Sequence, residues 1–347
     1  MSAAPSWLTV RLLDANLLPD PILRAGIRRI VASRLRDEQR KAAPDAADLA
    51  RFAAERSVGP IAIATGDANA QHYEVPTEFY RLVLGKHLKY SSAWFEPGQT
   101  SLDDAEARML AIYGERALLA PGQRVLELGC GWGSLSLWMA RHFPESQITG
   151  VSNSRTQKEW IDAQAHREGL TNLSIITADM NVFKAPGVFD RIVSVEMFEH
   201  MRNWHALLSN VSGWLEDDGR LFIHIFTHHR YAYPYDVADR SDWMAEYFFT
   251  GGIMPSDRLI YEFADLVTVE DHWQVSGTHY QKTAEAWLAN MDRHRAEIWP
   301  IFERTYGTAH ARRWWVRWRV FFMACAELWG YDQGRQWGVS HYRLRKS

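Results

Sequence analysis

Glu196, Glu199 and His200 fall within one five-residue stretch, Glu196-Met197-Phe198-Glu199-His200, which directly follows an apolar, β-branched run at residues 189–195. A strand that delivers two carboxylates and an imidazole at its carboxyl end offers groups that can take a proton from a nucleophile or draw in a cation. As an isolated pattern it would also fit a solvated loop. A second stretch, Val125-Leu126-Glu127-Leu128-Gly129-Cys130-Gly131-Trp132-Gly133, joins an apolar strand to an apolar helix pattern through alternating glycines. Glycine admits positive φ and a close ligand approach that a Cβ would block. The spacing is E-x-G-x-G-x-G, not the G-x-G-x-x-G that seats a dinucleotide pyrophosphate on a helix N-terminus. It predicts a different ligand at the carboxyl end of a first strand, where open α/β sheets bind.

The elements that must position these groups follow from periodicity. Residues 124–128, 147–151, 173–177, 189–195 and 220–226 read as short strands separated by helical stretches, the signature of a parallel sheet with right-handed crossovers. Two later β-like runs, 259–263 and 267–277, are expected to complete the sheet as an antiparallel edge. Before the sheet, residues 21–40 carry apolar and arginine positions at helical spacing with proline in the first turn, and 47–56 suggest a second helix capped by Asp45. Residues 59–60 and 66–70 read as a linker. This divides the chain into an N-terminal helical extension, 1–71, and an α/β domain, 72–347, with C-terminal helices and an insertion at about 228–258. An insertion after a strand's carboxyl end is where a lid over a substrate is expected. The final helix, 308–330, puts an aromatic stripe on one face, as core packing requires.

The 347 residues suffice for a substantial core without staples, and a net charge of −3 with no basic module points away from nucleic acid. Cys130 and Cys325, the two cysteines, sit in unrelated contexts, which suits a reducing compartment. The start lacks a basic patch followed by a long apolar run, and no stretch approaches a membrane span, so a cytoplasmic protein is expected. His228-His229 could ligate a metal, but adjacent residues of an extended segment point to opposite sides and no third ligand is placed, so no metal is predicted. Sixteen tryptophans would suit an aromatic pocket as well as ordinary packing.

The E-x-G-x-G-x-G loop resembles motif I of the S-adenosylmethionine-dependent methyltransferases. Glu127 to Gly133, Gly150-Val151-Ser152-Asn153-Ser154 with Gln157, and Glu196-Met197-Phe198-Glu199-His200-Met201 together resemble the cyclopropane fatty acid synthase superfamily of those enzymes. Within it, Tyr247-Phe248-Phe249-Thr250-Gly251-Gly252-Ile253-Met254-Pro255-Ser256, Asp271-His272-Trp273 with Gly277-Thr278-His279-Tyr280, and Ala326-Glu327-Leu328-Trp329-Gly330-Tyr331 are similar to the coclaurine N-methyltransferase branch. The likeness runs from about His72 to the C-terminus.

The resemblance implies a class I, Rossmann-like α/β fold with a mostly parallel seven-stranded sheet, a helical lid, and S-adenosyl-L-methionine as cofactor. By the same resemblance, Tyr90 and Ser91 fold over that cofactor, Gly129 and Gly131 meet its amino acid part, and Glu127 belongs to the same cofactor-binding set. Ser152, Asn153 and Gln157 meet the ribose and adenosine, Asp179 and Met180 the adenine edge, and Ser194 completes the set. Methyl transfer from a sulfonium asks for alignment and exclusion of water rather than a metal. An amine acceptor must also lose its proton, and the positions matching Glu196, Glu199 and His200 assist this in the N-methyltransferases. The lipid-directed branch holds a bicarbonate with a cysteine, a glutamate, a histidine and a tyrosine. Glu199, His224 and Tyr280 match three of these, and Ser92 stands where the cysteine would be. The leading expectation is therefore methyl transfer to a small amine of aromatic or cyclic character. The alternative is action on unsaturated acyl chains, with membrane contact expected only in that case. A homodimer stays open.

Overall fold

The computed structural model describes residue 14 and residues 17–41, 46–63, 75–98, 101–235 and 251–347. Asp45, the stretch 66–70, the 71/72 boundary and the 236–250 part of the expected lid lie outside the described residues.

Seven strands form one sheet in the order β3-β2-β1-β4-β5-β9-β8. They are β1 (Arg124–Leu128), β2 (Gln147–Ser152), β3 (Leu173–Thr177), β4 (Phe189–Val195), β5 (Leu215–His228), β8 (Val267–Ser276) and β9 (Trp337–Lys346). β1 to β5 are mutually parallel, and β9 runs antiparallel to both β5 and β8. The chain order reverses between β1 and β4, which opens a crevice beyond their carboxyl ends. Two expectations are corrected. Residues 259–263 form a 3₁₀ turn, because Leu259, Ile260 and Phe263 bury together where a strand would alternate. The antiparallel strand is instead β9, inserted beside β5, so the C-terminus closes the sheet after the helices. The first five strands and β8 stand where the sequence places them, with β5 longer at both ends.

Helices α1 (Asp20–Arg40) and α2 (Ala46–Glu55) precede the sheet, followed by α3 (Thr77–Val83) and α4 (Leu102–Arg116). Pro21 sits in the first turn of α1, and Ser101 caps α4 by accepting from the Asp104 N–H. The crossovers are α5 (Ser134–His142), α6 (Arg155–Glu168) and α7 (Trp204–Trp214). A two-stranded ribbon, β6 (Tyr233–Pro234) with β7 (Ile253–Met254), forms the described base of the insertion. Helices α8 (Gly277–Arg293), α9 (Arg295–Tyr306) and α10 (Thr308–Trp329) carry most of the aromatic weight.

Val31 and Leu35 of α1 pack into the same core as Trp287, Trp318 and Phe322. Arginines of α1 face that body too: Arg24 pairs with Glu285 and Glu327, and Arg28 with Glu327. Most buried tryptophans, among them Trp204, Trp287, Trp315, Trp318, Trp329 and Trp337, are core.

Candidate active site

The loop after β1 is shaped by backbone. Gly129, Gly131 and Gly133 hold φ of 79°, 52° and 82°, and the N–H groups of Gly129 and Cys130 both donate to the Val151 carbonyl, at 3.0 and 2.9 Å. A Cβ on Gly129 would lie 2.9 Å from Met197 Cβ, and one on Gly133 2.6 Å from Ile161 Cγ1. At Gly131 a Cβ would meet no protein atom within 4 Å. That position opens on a cavity lined by Tyr90, Ser91, Glu127, Gly129, Gln157 and Glu196. Burial pushes the Glu127 carboxyl up to about 7, and the Ser136 hydroxyl hydrogen-bonds it.

On residues lining this cavity, Trp132 Nε1, Ser134 Oγ and Gln157 Nε2 are buried without a protein partner. Gln157 is held for that purpose, since the Ser152 hydroxyl donates to its Oε1 at 2.7 Å and leaves the amide N–H₂ free. Buried donors without partners cost free energy unless a ligand or water takes them. A cofactor bearing a carboxylate and ribose hydroxyls fits such a cradle.

The other expected cofactor residues divide. Asn153, half-buried, follows β2; after β3, Asp179 accepts the Asn181 N–H at 2.8 Å and Met180 is buried. Ser194 points elsewhere, its hydroxyl donating to the Leu128 carbonyl at 3.1 Å and tying β4 to β1.

The acceptor side is built from side chains. Glu196 leaves β4 with φ of 49°, and its N–H donates to the His224 carbonyl at 2.9 Å. A left-handed non-glycine residue costs on the order of 1–3 kcal/mol and persists where its surroundings over-determine it. Here they do. Glu196 Oε1 accepts from the Ser92 N–H at 3.0 Å and lies 3.0 Å from His224 Nε2, while Oε2 accepts from the Tyr280 hydroxyl at 2.7 Å. Tyr280 is in turn stacked on Trp329, with ring planes 2° apart. Lys89, 2% exposed, donates to Ser91 Oγ at 2.6 Å and to the Ser92 carbonyl at 2.5 Å, so its ammonium fixes the segment that presents the Ser92 N–H. Burial pulls the Lys89 amine down to about 8.

Burial raises the Glu196 carboxyl, against the lowering pull of Lys89, Ser92, Tyr280 and His200. Glu199 is fully buried and far less supported: Oε1 accepts the Phe226 N–H at 2.8 Å, and Oε2 has no partner. Burial first, and the neighbouring Glu196 charge second, push its carboxyl well above the usual range. The environments separate the pair. Glu196, with three donors at its oxygens, is the better placed of the two to hold a charge, and Glu199 to hold a proton. His200 ends a 3₁₀ turn, Phe198–His200, and is half-buried beside them.

The structure therefore brings Glu196, His224 and Tyr280 into one hydrogen-bonded group, with Glu199 and His200 beside it. Ser92 takes part through its backbone, and its hydroxyl donates to the Ala93 carbonyl at 3.3 Å. Four residues escaped the sequence reading: Lys89, Tyr113, Arg116 and His341. The Tyr113/Arg116 spacing of three residues on a helix was the only signal for two of them. His228 is structural: its Nδ1 accepts the Arg230 and Tyr231 N–H groups at 2.8 and 3.0 Å, and burial pulls it down to about 3. No cluster of three or more potential metal ligands occurs among the described residues, and none of their helices is long and apolar enough to cross a membrane.

The profile of the mycolic acid cyclopropane synthetase family matches residues 63–333. The chain is 36% identical to (S)-coclaurine N-methyltransferase of Thalictrum flavum subsp. glaucum, over 96% of this chain and 94% of that one. It is 28% identical to cyclopropane-fatty-acyl-phospholipid synthase of Escherichia coli (strain K12), over 78% of this chain and 66% of that one. Among solved structures, coclaurine N-methyltransferase bound to N-methylheliamine and SAH superposes with a TM-score of 0.92 at 35% identity, covering 97% of this chain and 98% of the other. A Mycobacterium tuberculosis cyclopropane synthase, at 22% identity and a TM-score of 0.70 over 82% of this chain and 99% of that one, shares the fold. With the sheet order, the glycine cradle and these matches, the chain belongs to the mycolic acid cyclopropane synthetase family of S-adenosylmethionine-dependent methyltransferases.

Proposed function

We propose that the protein transfers a methyl group to the nitrogen of a small amine with aromatic or cyclic bulk. The observation that carries this reading is where the Glu196 carboxylate lies. Ser92, His224 and Tyr280 occupy three of the four positions that in the lipid-directed branch would surround a bicarbonate, and here all three converge on a carboxylate supplied by the chain itself. A protein-borne base there suits an amine, which must be stripped of a proton before its lone pair can attack. The relatives named above for N-methylation support the same reading.

Trp132, Ser134 and Gln157, with the backbone of the glycine loop, would hold S-adenosylmethionine. When bound, that cofactor supplies an electrophilic methyl on a sulfonium. Glu196 then attracts the substrate as its ammonium and takes one proton from it, leaving a neutral amine. Glu199, protonated, and His200 orient the nitrogen beside it. Transfer would form the N–CH₃ bond as the S–CH₃ bond breaks, leaving the cofactor as a neutral thioether and the product as an ammonium, and the proton on Glu196 returns to solvent. The buried setting of Cys130 and the half-buried setting of Cys325, both unpaired, support a reducing, cytoplasmic location.

The test is mass spectrometry after incubation with methyl-trideuterated cofactor, a panel of cyclic and aryl-alkyl amines, and unsaturated phospholipids. An amine product keeping all three deuteriums is expected. A lipid product keeping two would mean that a methylene was delivered and would overturn the reading.

A further inference from the structure

A line of hydrogen bonds runs away from Glu196 through the sheet and plays no part in the reaction as described. His224 on β5 and His341 on β9 are paired directly across the antiparallel ladder, so their rings share one face. His341 Nε2 lies 2.8 Å from His224 Nδ1, and His341 Nδ1 lies 2.6 Å from an Nη of Arg116. Both rings are fully buried. Arg116 ends α4 and is clamped between the rings of Trp94 and Trp273, at 5.7 and 4.9 Å from their centroids. From the same helix, three residues earlier, the Tyr113 hydroxyl reaches His224 Nδ1 at 2.9 Å. Lys89, which donates to Ser91, lies 5.2 Å from the centroid of the Tyr113 ring.

An imidazole nitrogen can donate or accept, and which it does is ordinarily free to change. A guanidinium can only donate. The His341 nitrogen facing Arg116 must therefore be the bare one, and its proton sits on Nε2. That proton points at His224 Nδ1, which must then be bare as well, so the His224 proton sits on Nε2 and points at Glu196. The Tyr113 hydroxyl, 2.9 Å from the same His224 Nδ1, donates there once that nitrogen is bare. Burial holds both rings neutral, with Lys89 and Arg116 adding to this at each, and His224 and His272 at His341.

We propose that Arg116 is a positioning residue of the acceptor site: with the Tyr113 hydroxyl as a second donor to His224 Nδ1, it fixes the tautomers of His341 and His224 so that the His224 Nε2–H stays aimed at Glu196 whether that carboxyl is charged or protonated. The inference rests on the reading of Glu196 as the base only for its consequence in turnover; the tautomers themselves stand independently. Two consequences follow. The aimed N–H, together with the Ser92 N–H, the Tyr280 hydroxyl, Lys89 and His200, opposes burial and the nearby Glu199 in setting the charge of Glu196. The chain also cannot carry a proton outward, because the His224 nitrogen facing Glu196 already bears one. The proton from substrate leaves Glu196 by the cavity.

The experiment is nitrogen-detected NMR of the full chain with ¹⁵N-labelled histidine, which reports ring tautomers without substrate, on the native protein, Arg116→Met, Tyr113→Phe, the double variant and Arg116→Lys. Expected are Nε2–H tautomers at His224 and His341 in the native protein and in Arg116→Lys, release of His341 in Arg116→Met, and release of His224 as well in the double variant at pH below the acid limb, where a protonated Glu196 no longer demands a donor. In the double variant the acid limb of the rate profile moves up by about one pH unit, roughly a ten-fold loss of turnover below it. Should Arg116→Met fail to fold, His341→Gln, whose amide accepts at one end and donates at the other, keeps His224 fixed, while His341→Leu combined with Tyr113→Phe releases it. An Nδ1–H tautomer at His224 in the native protein, or a His224 that stays Nε2–H below the acid limb in the double variant, overturns the proposal. A native protein that methylates amines but lacks the Nε2–H tautomers would sink this inference alone, and fixed tautomers without amine methylation would sink only the assigned function.

Discussion

The two halves of the crevice are made by opposite means. On the β1–β2 side the cradle is short-range: glycine φ values, one loop and the start of one helix shape it, and its polar atoms are left without partners. On the β4–β5 side the acceptor group draws Ser92, Glu196, His224, Tyr280, His341 and Arg116 from across the chain, and one carboxylate is saturated with donors. Emptied donors make a place for a ligand. Saturated ones fix a charge. The difference teaches that cofactor affinity and turnover should separate cleanly under mutation.

The largest effect is expected from Gly131→Val. Its Cβ meets no protein atom, so the fold survives a backbone penalty of about 1–2 kcal/mol for a positive φ, but the side chain fills the cofactor's space. S-adenosylhomocysteine affinity by calorimetry should fall by roughly two orders of magnitude or more, since a steric block removes most of the binding energy. Glu199→Gln sharpens the acceptor half: the amide imitates a protonated carboxyl, so turnover should drop by only about ten-fold, against roughly 10²–10⁴ for loss of the base at Glu196. Equal losses at the two positions would show that the charge is not where the donors place it. Tyr280→Phe removes one of the donors and keeps the stack on Trp329, and about a ten-fold loss, with cofactor affinity unchanged, is expected from one charge-assisted hydrogen bond. Ser92→Ala should be the mildest, within about two-fold, because the N–H and not the hydroxyl reaches Glu196. A large loss there would revive a side-chain role of the kind a cysteine plays in the lipid-directed branch.

The same contrast explains what could be read in the sequence. Glycine spacing and the strand patterns at 124–128, 173–177 and 189–195 are local, and they located the cradle and most of the sheet. Leu259, Ile260 and Phe263 have strand-forming character, but tertiary packing rolled them into a turn, a competition that propensity does not record. β9 was missed because Trp337–Lys346 is interrupted by glycine and arginine, and only its burial between β5 and β8 makes it a strand. Glu196, Glu199 and His200 were legible as a cluster. That Glu196 rather than Glu199 gathers His224 and Tyr280 was not, because it depends on the left-handed turn at residue 196 and on strand register. The roles of Lys89, Arg116 and His341 depend wholly on contacts distant in sequence.

The most direct test of the account is the pH dependence of single-turnover methyl transfer to an accepted amine, in the native protein and in Glu196→Gln, with cofactor saturating. Because burial raises the Glu196 carboxyl, the native rate should fall on an acid limb lying above the ordinary carboxylate value of about 4.5. In Glu196→Gln that limb should vanish and the rate should drop by roughly 10²–10⁴, with S-adenosylhomocysteine affinity unchanged. An acid limb that persists unaltered in Glu196→Gln would place the proton acceptor elsewhere and contradict the account.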